Sequence, residues 1–236
     1  MKRSDVLNGL DELVSLHNIL QHPFYLAWER GELTQAQLAT YARVYYPHVQ
    51  AFPGYLRSTI ACANDPETRI ELERNLADEL SVPKSHADLW LDFAEAVGLE
   101  RDAVTNGSPV PKACAMVDTF KRLTQQNVAS GLSALYVYES QQPEVSQRKI
   151  TGLREWYDVQ SESGLAYFAV HATADVDHRN GERDSLARCL EFGTSPAVIT
   201  GAAIEALDAY WGLSLIHISE PTRPRLISYA VFCLKK

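Results

Sequence analysis

Helix start and stop signals recur over the first 212 residues, and they restrict what this chain can fold into. Each signal is a serine, threonine or aspartate that caps a helix, followed by a partner residue in the first turn. These pairs are Thr34 with Gln37, Asp65 with Pro66, Ser85 with Asp88, and Ser195 with Pro196. Apolar residues recur at helical spacing, and no stretch shows sustained alternation with hairpin turns. We therefore predict one all-α domain over residues 1–212.

The predicted helices fill most of this range. They cover about 4–20, 38–52, 69–80, 86–97, 110–126, 128–141, 144–157, 162–191 and 196–212. Gly98 is expected to close the fourth of them, because glycine accepts the left-handed backbone that commonly ends a helix.

Composition excludes several classes of partner. The 236 residues carry a net charge of −8, which argues against nucleic acid or an anionic membrane as the main partner. No apolar run approaches the ~20 residues of a membrane span, and the amphipathic N-terminus has no signal-peptide core. The four cysteines are scattered and form no C-x-x-C pair. We expect a protein of the reducing cytoplasm.

The last segment, Leu213–Lys236, departs from the helical pattern. It has no helical periodicity and no cap, and residues 213–223 back-translate without a gap into a sequence that resembles a transposon-derived adapter for sequencing libraries. Residues 227–234 read in the same way as a flow-cell adapter. We therefore expect a non-native tail over 213–236. Without it, residues 1–212 hold 18 basic and 29 acidic residues, a net charge of −11.

One helix carries two imidazoles and a carboxylate on a single stripe. His171, Asp175 and His178 stand at offsets of zero, four and seven, so at ~100° per residue they project in the same direction. Helical bundles build metal sites from side chains placed in this way. The alternative is that Asp175 hydrogen-bonds one of the two histidines on a half-exposed face. The trio alone does not decide between them.

Other helices supply further candidate ligands. Glu79 and His86 flank a turn at Pro83, and Glu139 lies in an apolar and aromatic run where an unpaired carboxylate would be costly. Singly, Glu79 could be a surface acid and His86 a polar residue of a first turn. Together, three carboxylates and three histidines suit a dinuclear Fe or Mn centre better than zinc. The ferritin-type pair of Glu-x-x-His motifs is absent.

Longer motifs carry a resemblance to a known family. They are "HPFYLAWERGELTQAQLATYARVYY", "AFPGYL", "SHADLW", "ALYVYESQ.P....RKI.GL" and "YF.VH..ADV.H". Over residues 5–212 the chain resembles the CADD family (Chlamydia protein associating with death domains), which belongs to the haem-oxygenase-like di-metal oxidases. The resemblance implies a bundle of about seven helices. It places the metal ligands on Glu79, His86, Glu139, His171, Asp175 and His178, with one histidine-rich and one carboxylate-rich set. Thiaminase-like and PQQ-synthesis relatives would not need all six.

The resemblance also implies a reaction. Members similar to this sequence are implicated in making 4-aminobenzoate for folate, with two Fe ions or an Fe/Mn pair, O2 and an external reductant. The enzyme's own tyrosine is thought to supply the ring and a lysine the amino group; these match Tyr25 and Lys149, and Tyr41 and Tyr138 match tyrosines near the site. From spacing alone, a tyrosine such as Tyr25 is more often a core residue with a satisfied hydroxyl, and Lys149 could be one of two solvated charges beside Arg148.

Two other functions stay open. A di-metal oxidase or N-oxygenase could act on another small amine, amino acid or fatty acid, and the ligand set alone does not exclude it. A protein-interaction module would need an exposed apolar patch or charge stripe apart from the ligands, and none can be isolated. The expected partners are O2 and small molecules, with a homodimer left open.

Overall fold

The computed structural model describes residues 3–214, and every regular element in that part of the chain is helical. The helices are α1 (Arg3–Leu16), α2 (Pro23–Glu29), α3 (Gln35–Cys62), α4 (Pro66–Glu79), α5 (His86–Ala96), α6 (Arg101–Thr105), α7 (Pro111–Gln126), α8 (Val128–Glu139), α9 (Gln142–Glu155), α10 (Glu162–Glu191) and α11 (Pro196–Ser214), with a 3-10 turn at Ile19–Gln21. The all-α prediction is confirmed. Some segments are separated by very short breaks, as α8 and α9 are, so the segments outnumber the expected seven.

Helix starts follow the predicted caps. The Thr34 hydroxyl accepts a hydrogen bond from the Gln37 backbone N–H while the Gln37 side chain accepts one from the Thr34 N–H. Ser85 and Asp88 form the same reciprocal box at α5. Each box satisfies two backbone donors that a helix start leaves free, so α3 and α5 begin where the sequence indicates.

Helix ends agree less well with the sequence. The first helix stops at Leu16, and α2 and α6 are short helices that the pattern did not predict. Helix α3 continues to Cys62 although Pro47 and Pro53 lie inside it. Proline removes one helical hydrogen bond each time, but the many buried residues on α3 hold the segment helical.

The long helix α10 packs against several other helices and determines where their side chains meet. It packs against α4, α5, α8 and α9, while α3 packs against α4, α5 and α7. Helix α8 is enclosed, since all its residues from Ala129 to Glu139 are buried. The end of α4, the start of α5 and the end of α8 therefore meet the middle of α10.

None of the helices within 3–214 is long and apolar enough to cross a membrane. The predicted non-native tail lies outside the described residues except for its first two, and Leu213 and Ser214 continue α11.

Candidate metal centre

Two helix termini bring the first pair of candidate ligands together. Glu79 is the last residue of α4 and His86 the first of α5, so they flank the turn at Pro83 as predicted. Glu79 is 5% exposed and His86 is 1% exposed. The alternative of a surface acid therefore does not hold for Glu79, because tertiary packing against α10 covers the end of α4.

A histidine-rich group forms around Glu79. The Oε1 atom of Glu79 lies 3.0 Å from His86 Nδ1 and 3.8 Å from His171 Nε2, and the centres of the two imidazole rings are 4.6 Å apart. One ligand atom from each of the three residues lies within 4.8 Å of the others. Three donor atoms that converge at this spacing suit a single cation.

A carboxylate-rich group forms one turn further along α10. His178 Nδ1 lies 3.3 Å from Asp175 Oδ1 and 3.9 Å from Glu139 Oε1. These three residues also offer ligand atoms within 4.8 Å of one another. Asn75 donates to both oxygens of Glu139, at 3.0 and 3.2 Å. The six predicted ligands thus fall into one histidine-rich and one carboxylate-rich group.

Hydrogen bonds orient two of the imidazoles for metal binding. His171 Nδ1 lies 2.7 Å from the Tyr167 carbonyl oxygen, and His178 Nε2 lies 3.0 Å from Asp78 Oδ2. With a proton on each of these nitrogens, His171 Nε2 and His178 Nδ1 keep their lone pairs. Ligating histidines almost always donate their other N–H in this way.

Unpartnered polar atoms show that the two groups fit cations. Nδ1 of His86, Oδ2 of Asp175 and Nδ1 of His178 are buried and have no hydrogen-bond partner among the described residues. His86 Nδ1 and His178 Nδ1 lie 3.0 and 3.3 Å from the Glu79 and Asp175 carboxylates as ion-pair contacts. Buried polar atoms are costly when unpaired, and metal coordination would satisfy them.

Burial and charge shift the pKa values of these groups. Burial would raise the pKa of Glu79, but its two neighbouring imidazoles lower it to about 2. Burial would lower the pKa of His171, yet the Asp175 and Glu79 carboxylates raise it to about 9. Burial raises the pKa of Glu139, although the positive charge of His178 acts to lower it. Without metal the site therefore holds protons, and cations must displace them.

A small cavity lies where the two groups face each other. Its volume is about 10 Å³. It is lined by Val49, Phe52, Glu79, Tyr138, Glu139, Tyr167, His171 and Asp175. A single water needs roughly 10–15 Å³, whereas a benzene-sized ligand occupied a cavity of about 150 Å³ in an engineered protein. The space between the two groups is therefore about that of one water molecule, far smaller than an organic substrate.

Lys149 lies inside the bundle with its amine among aromatic rings. It is 2% exposed, and its Nζ is 5.1 Å from the centre of the Tyr25 ring and 4.6 Å from that of Tyr41. The amine also hydrogen-bonds the Tyr41 hydroxyl. The enclosure is completed by Trp28, Tyr45 and Phe168. Burial holds the pKa of Lys149 well below its usual range, so the interpretation of Lys149 as a solvated charge does not hold.

Buried tyrosines connect this enclosure with the small cavity. Tyr138, which lines the cavity, has its hydroxyl 2.8 Å from that of Tyr45 and its ring 5.2 Å from that of Tyr210. Tyr210 in turn has its hydroxyl 3.4 Å from that of Tyr25, and the Tyr45 ring is 5.4 Å from the Tyr41 ring. All four predicted catalytic positions therefore lie in one connected group with the candidate metal ligands at its edge.

Four residues that lie near the candidate ligands or the enclosure were not predicted from the sequence. Glu182, which is 3% exposed, continues the stripe of α10 at offset eleven from His171. This spacing could have revealed it. Asn75, Tyr45 and Tyr210 had no such signal. Asn75 is one of many polar residues on a helix, and nothing in the spacing distinguishes Tyr45 and Tyr210 from the other tyrosines among the eleven in the chain.

Known proteins similar to this chain include iron-containing redox enzymes. The model of a family described as iron-containing redox enzymes matches residues 39–211. A 4-aminobenzoate synthase of Chlamydia pneumoniae is 39% identical over 215 residues, covering 90% of this chain and 95% of that protein. A 4-aminobenzoate synthase of Nitrosomonas europaea is 32% identical over 212 residues, 86% of each chain.

Solved structures share the fold. A TenA homologue from Pseudomonas syringae superposes with a TM-score of 0.76 at 17% identity, covering 92% of this chain and 96% of that one. A CADD-like protein of Nostoc punctiforme gives a TM-score of 0.72 at 19% identity, covering 92% and 99%. The predicted relation to the CADD family is confirmed, and the chain belongs to the iron-containing redox enzymes of the haem-oxygenase-like fold.

Proposed function

We propose that this chain makes 4-aminobenzoate in an O2-dependent, single-turnover reaction in which Tyr25 supplies the ring and Lys149 the amino group. Curated relatives at 32–41% identity are 4-aminobenzoate synthases. We assign the activity to residues 1–212 and none of it to the adapter-like tail.

The metal ions would be held by the two groups described above. Glu79, His86 and His171 would bind one ion, and Glu139, Asp175 and His178 the other. When bound, two Fe ions or an Fe/Mn pair supply O2 activation and oxidising power, with electrons from an external reductant. The protein's part is to hold these ligands rigidly and to keep the oxidisable side chains nearby.

The position of Lys149 carries the proposal. A buried lysine normally has a carboxylate partner, yet this amine contacts the Tyr41 hydroxyl and faces the Tyr25 ring. Only an unprotonated amine is nucleophilic, and burial lowers the pKa of this one. The enclosure thus holds an amine in a reactive form beside a phenol ring.

The chemistry of tyrosine matches the product. In tyrosine the phenol oxygen is para to Cβ, and in 4-aminobenzoate the amino group is para to the carboxyl carbon. To convert one into the other, the Lys149 nitrogen would bond to the ring carbon as the phenol oxygen leaves as water, and the Lys149 Cε–Nζ bond would break with oxidation of Cε to an aldehyde. Cβ would be oxidised to the carboxyl group with cleavage of the Cα–Cβ bond, with O2 as the oxidant and the external reductant supplying electrons. The Lys149 amine, which would supply the nitrogen, lies 5.1 Å from the centre of the Tyr25 ring, which would receive it.

The size of the cavity favours a reactant from the protein over an external substrate. With about 10 Å³ between the two groups of ligands, a free amine, amino acid or fatty acid has no room there. Tyr138 and Tyr210 connect this cavity to Tyr25 through ring and hydroxyl contacts. The side chains that adjoin the ligands are therefore those of the protein itself.

A growth test examines the proposal. The full chain is expressed in a bacterium that requires 4-aminobenzoate, and growth is measured without the vitamin precursor. The unaltered chain is expected to restore growth, and Tyr25→Phe and Lys149→Ala are expected to abolish it.

Matched controls separate chemistry from folding. Tyr46→Phe removes a buried hydroxyl and Lys121→Ala an exposed amine away from the enclosure, and both should still support growth. Full growth with Tyr25→Phe and with Lys149→Ala would show that neither residue is consumed.

A further inference from the structure

Glu182 is a buried carboxylate that adjoins another carboxylate, that of Glu139. It lies on α10 one turn beyond His178 and is 3% exposed. No side-chain or backbone donor of the described residues hydrogen-bonds either of its oxygens. An ionised carboxylate in this position is costly unless a cation or a proton compensates it.

The surroundings of Glu182 include a carboxylate of the proposed metal centre. Its nearest interacting ionisable groups are Glu139 and Asp175, both acidic. No ion pair from lysine or arginine reaches any of these three among residues 3–214; the nearby arginines pair elsewhere, Arg183 with Asp11 and Arg188 with Asp65. His178 Nδ1 lies 3.9 Å from Glu139 and 3.3 Å from Asp175, so its imidazole can offset one of the three negative charges, and a bound cation would offset the others.

A surface cavity reaches Glu182. Its volume is about 290 Å³. Its buried lining includes Asn75 and Glu182, and its more exposed lining carries three acids, Glu71, Asp78 and Asp177, against one base, Arg74. A hydrated cation has room to come to Glu182 here, and the acidic lining attracts it.

The total charge of the metal-loaded site also favours a cation beside Glu182. The six proposed ligands include three carboxylates and three histidines, and neutral histidines leave a charge of −3. Two divalent ions bring +4. A fourth buried carboxylate makes the loaded site neutral, and Glu182 is the buried acid that adjoins it.

We propose that Glu182 is a further carboxylate ligand of the metal ion held by Glu139, Asp175 and His178, on the side that faces the surface cavity. The inference rests on the metal centre of the proposed function. It requires no change in the roles of Tyr25 and Lys149.

The test compares metal binding by the full chain and Glu182→Gln. Metal is removed by chelation without O2, and binding of Fe(II), and separately Mn(II), is followed by calorimetry and by metal analysis after desalting. The unaltered chain is expected to bind about two equivalents. Glu182→Gln is expected to weaken one of them at least ~10-fold and to leave the other unchanged.

Two further variants control for the interpretation. Glu71→Gln removes a carboxylate from the more exposed lining of the same cavity and should bind both ions as the unaltered chain does. Glu182→Asp keeps a carboxylate and should recover part of the lost affinity. The metal-free Glu182→Gln protein should unfold at a temperature no lower than the unaltered chain, because the amide removes a buried charge.

The outcomes are distinguishable. If Glu182→Gln binds both ions with unchanged affinity, a proton between Glu182 and Glu139 is the compensating charge and Glu182 is not a ligand. If both ions weaken equally, the effect is general and the assignment to one ion is overturned. If the unaltered chain binds no metal, the proposed function fails together with this inference.

Discussion

Replacing Lys149 by methionine should change how stability depends on pH. The amine is buried among aromatic rings, and burial lowers its pKa well below the usual value. In the unfolded chain the same amine has a pKa of about 10.4. Between these two pKa values the unfolded state binds one proton more than the folded state, so the free energy of unfolding rises with pH.

The size of this pH dependence follows from the one additional proton that the unfolded state binds. Over that interval the unaltered chain should gain about 1.4 kcal/mol per pH unit relative to Lys149→Met, which has no such group. From about pH 8 to about pH 9.5 the difference amounts to roughly 2 kcal/mol, or about 4–8 °C in Tm for a chain of this size. Methionine is similar in shape, so the variant should be the more stable protein near neutral pH.

Urea unfolding of the metal-free proteins, followed by circular dichroism across this pH range, measures the difference. Lys121→Met, at an exposed position of α7, serves as the matched control and should give a difference that does not vary with pH. A Lys149→Met difference that is equally flat would mean that the buried amine stays protonated. The amine would then not be available as a nucleophile, and the reasoning about its role would be refuted.

Three further predictions concern the metal ligands and the packing around the enclosure. Asn75→Ala removes the two hydrogen bonds to Glu139 and should weaken binding of one ion ~10–100-fold in calorimetric titrations. Neighbouring carboxylates raise the pKa of His171 to about 9 and of His178 to about 10, so both are protonated in the metal-free protein at pH 7. Metal loading should then release protons, seen as a dependence of the binding enthalpy on the buffer, and affinity should fall as pH is lowered. Gly152→Ala would place a Cβ 2.5 Å from Trp28 Nε1, and we expect a loss of about 1–3 kcal/mol in urea unfolding.

The sequence predicted helix starts well because the signals are local. At Thr34 and Ser85 the cap and its partner lie three residues apart, so the chain itself contains the whole interaction. Helix ends depend on tertiary packing. For this reason α3 runs past Pro53 to Cys62, and the one- to two-turn helices α2 and α6 were not predicted.

The candidate site was predictable where residues share one helix or one family motif. His171, Asp175 and His178 follow from the helical period, and the same period reaches Glu182. The enclosure around Lys149 was not predictable from spacing, because its aromatic walls come from three separate helices and Lys149 itself from a fourth. Only folding brings them together.

Isotope labelling tests the central claim most directly. The full chain is produced with ring-labelled tyrosine and amine-labelled lysine, loaded with iron and supplied with O2 and a reductant. The account predicts 4-aminobenzoate that carries both labels, no more than about one product per chain, and loss of the intact peptide that contains Tyr25. Unlabelled product, or formation only after an external aromatic compound is added, would contradict it.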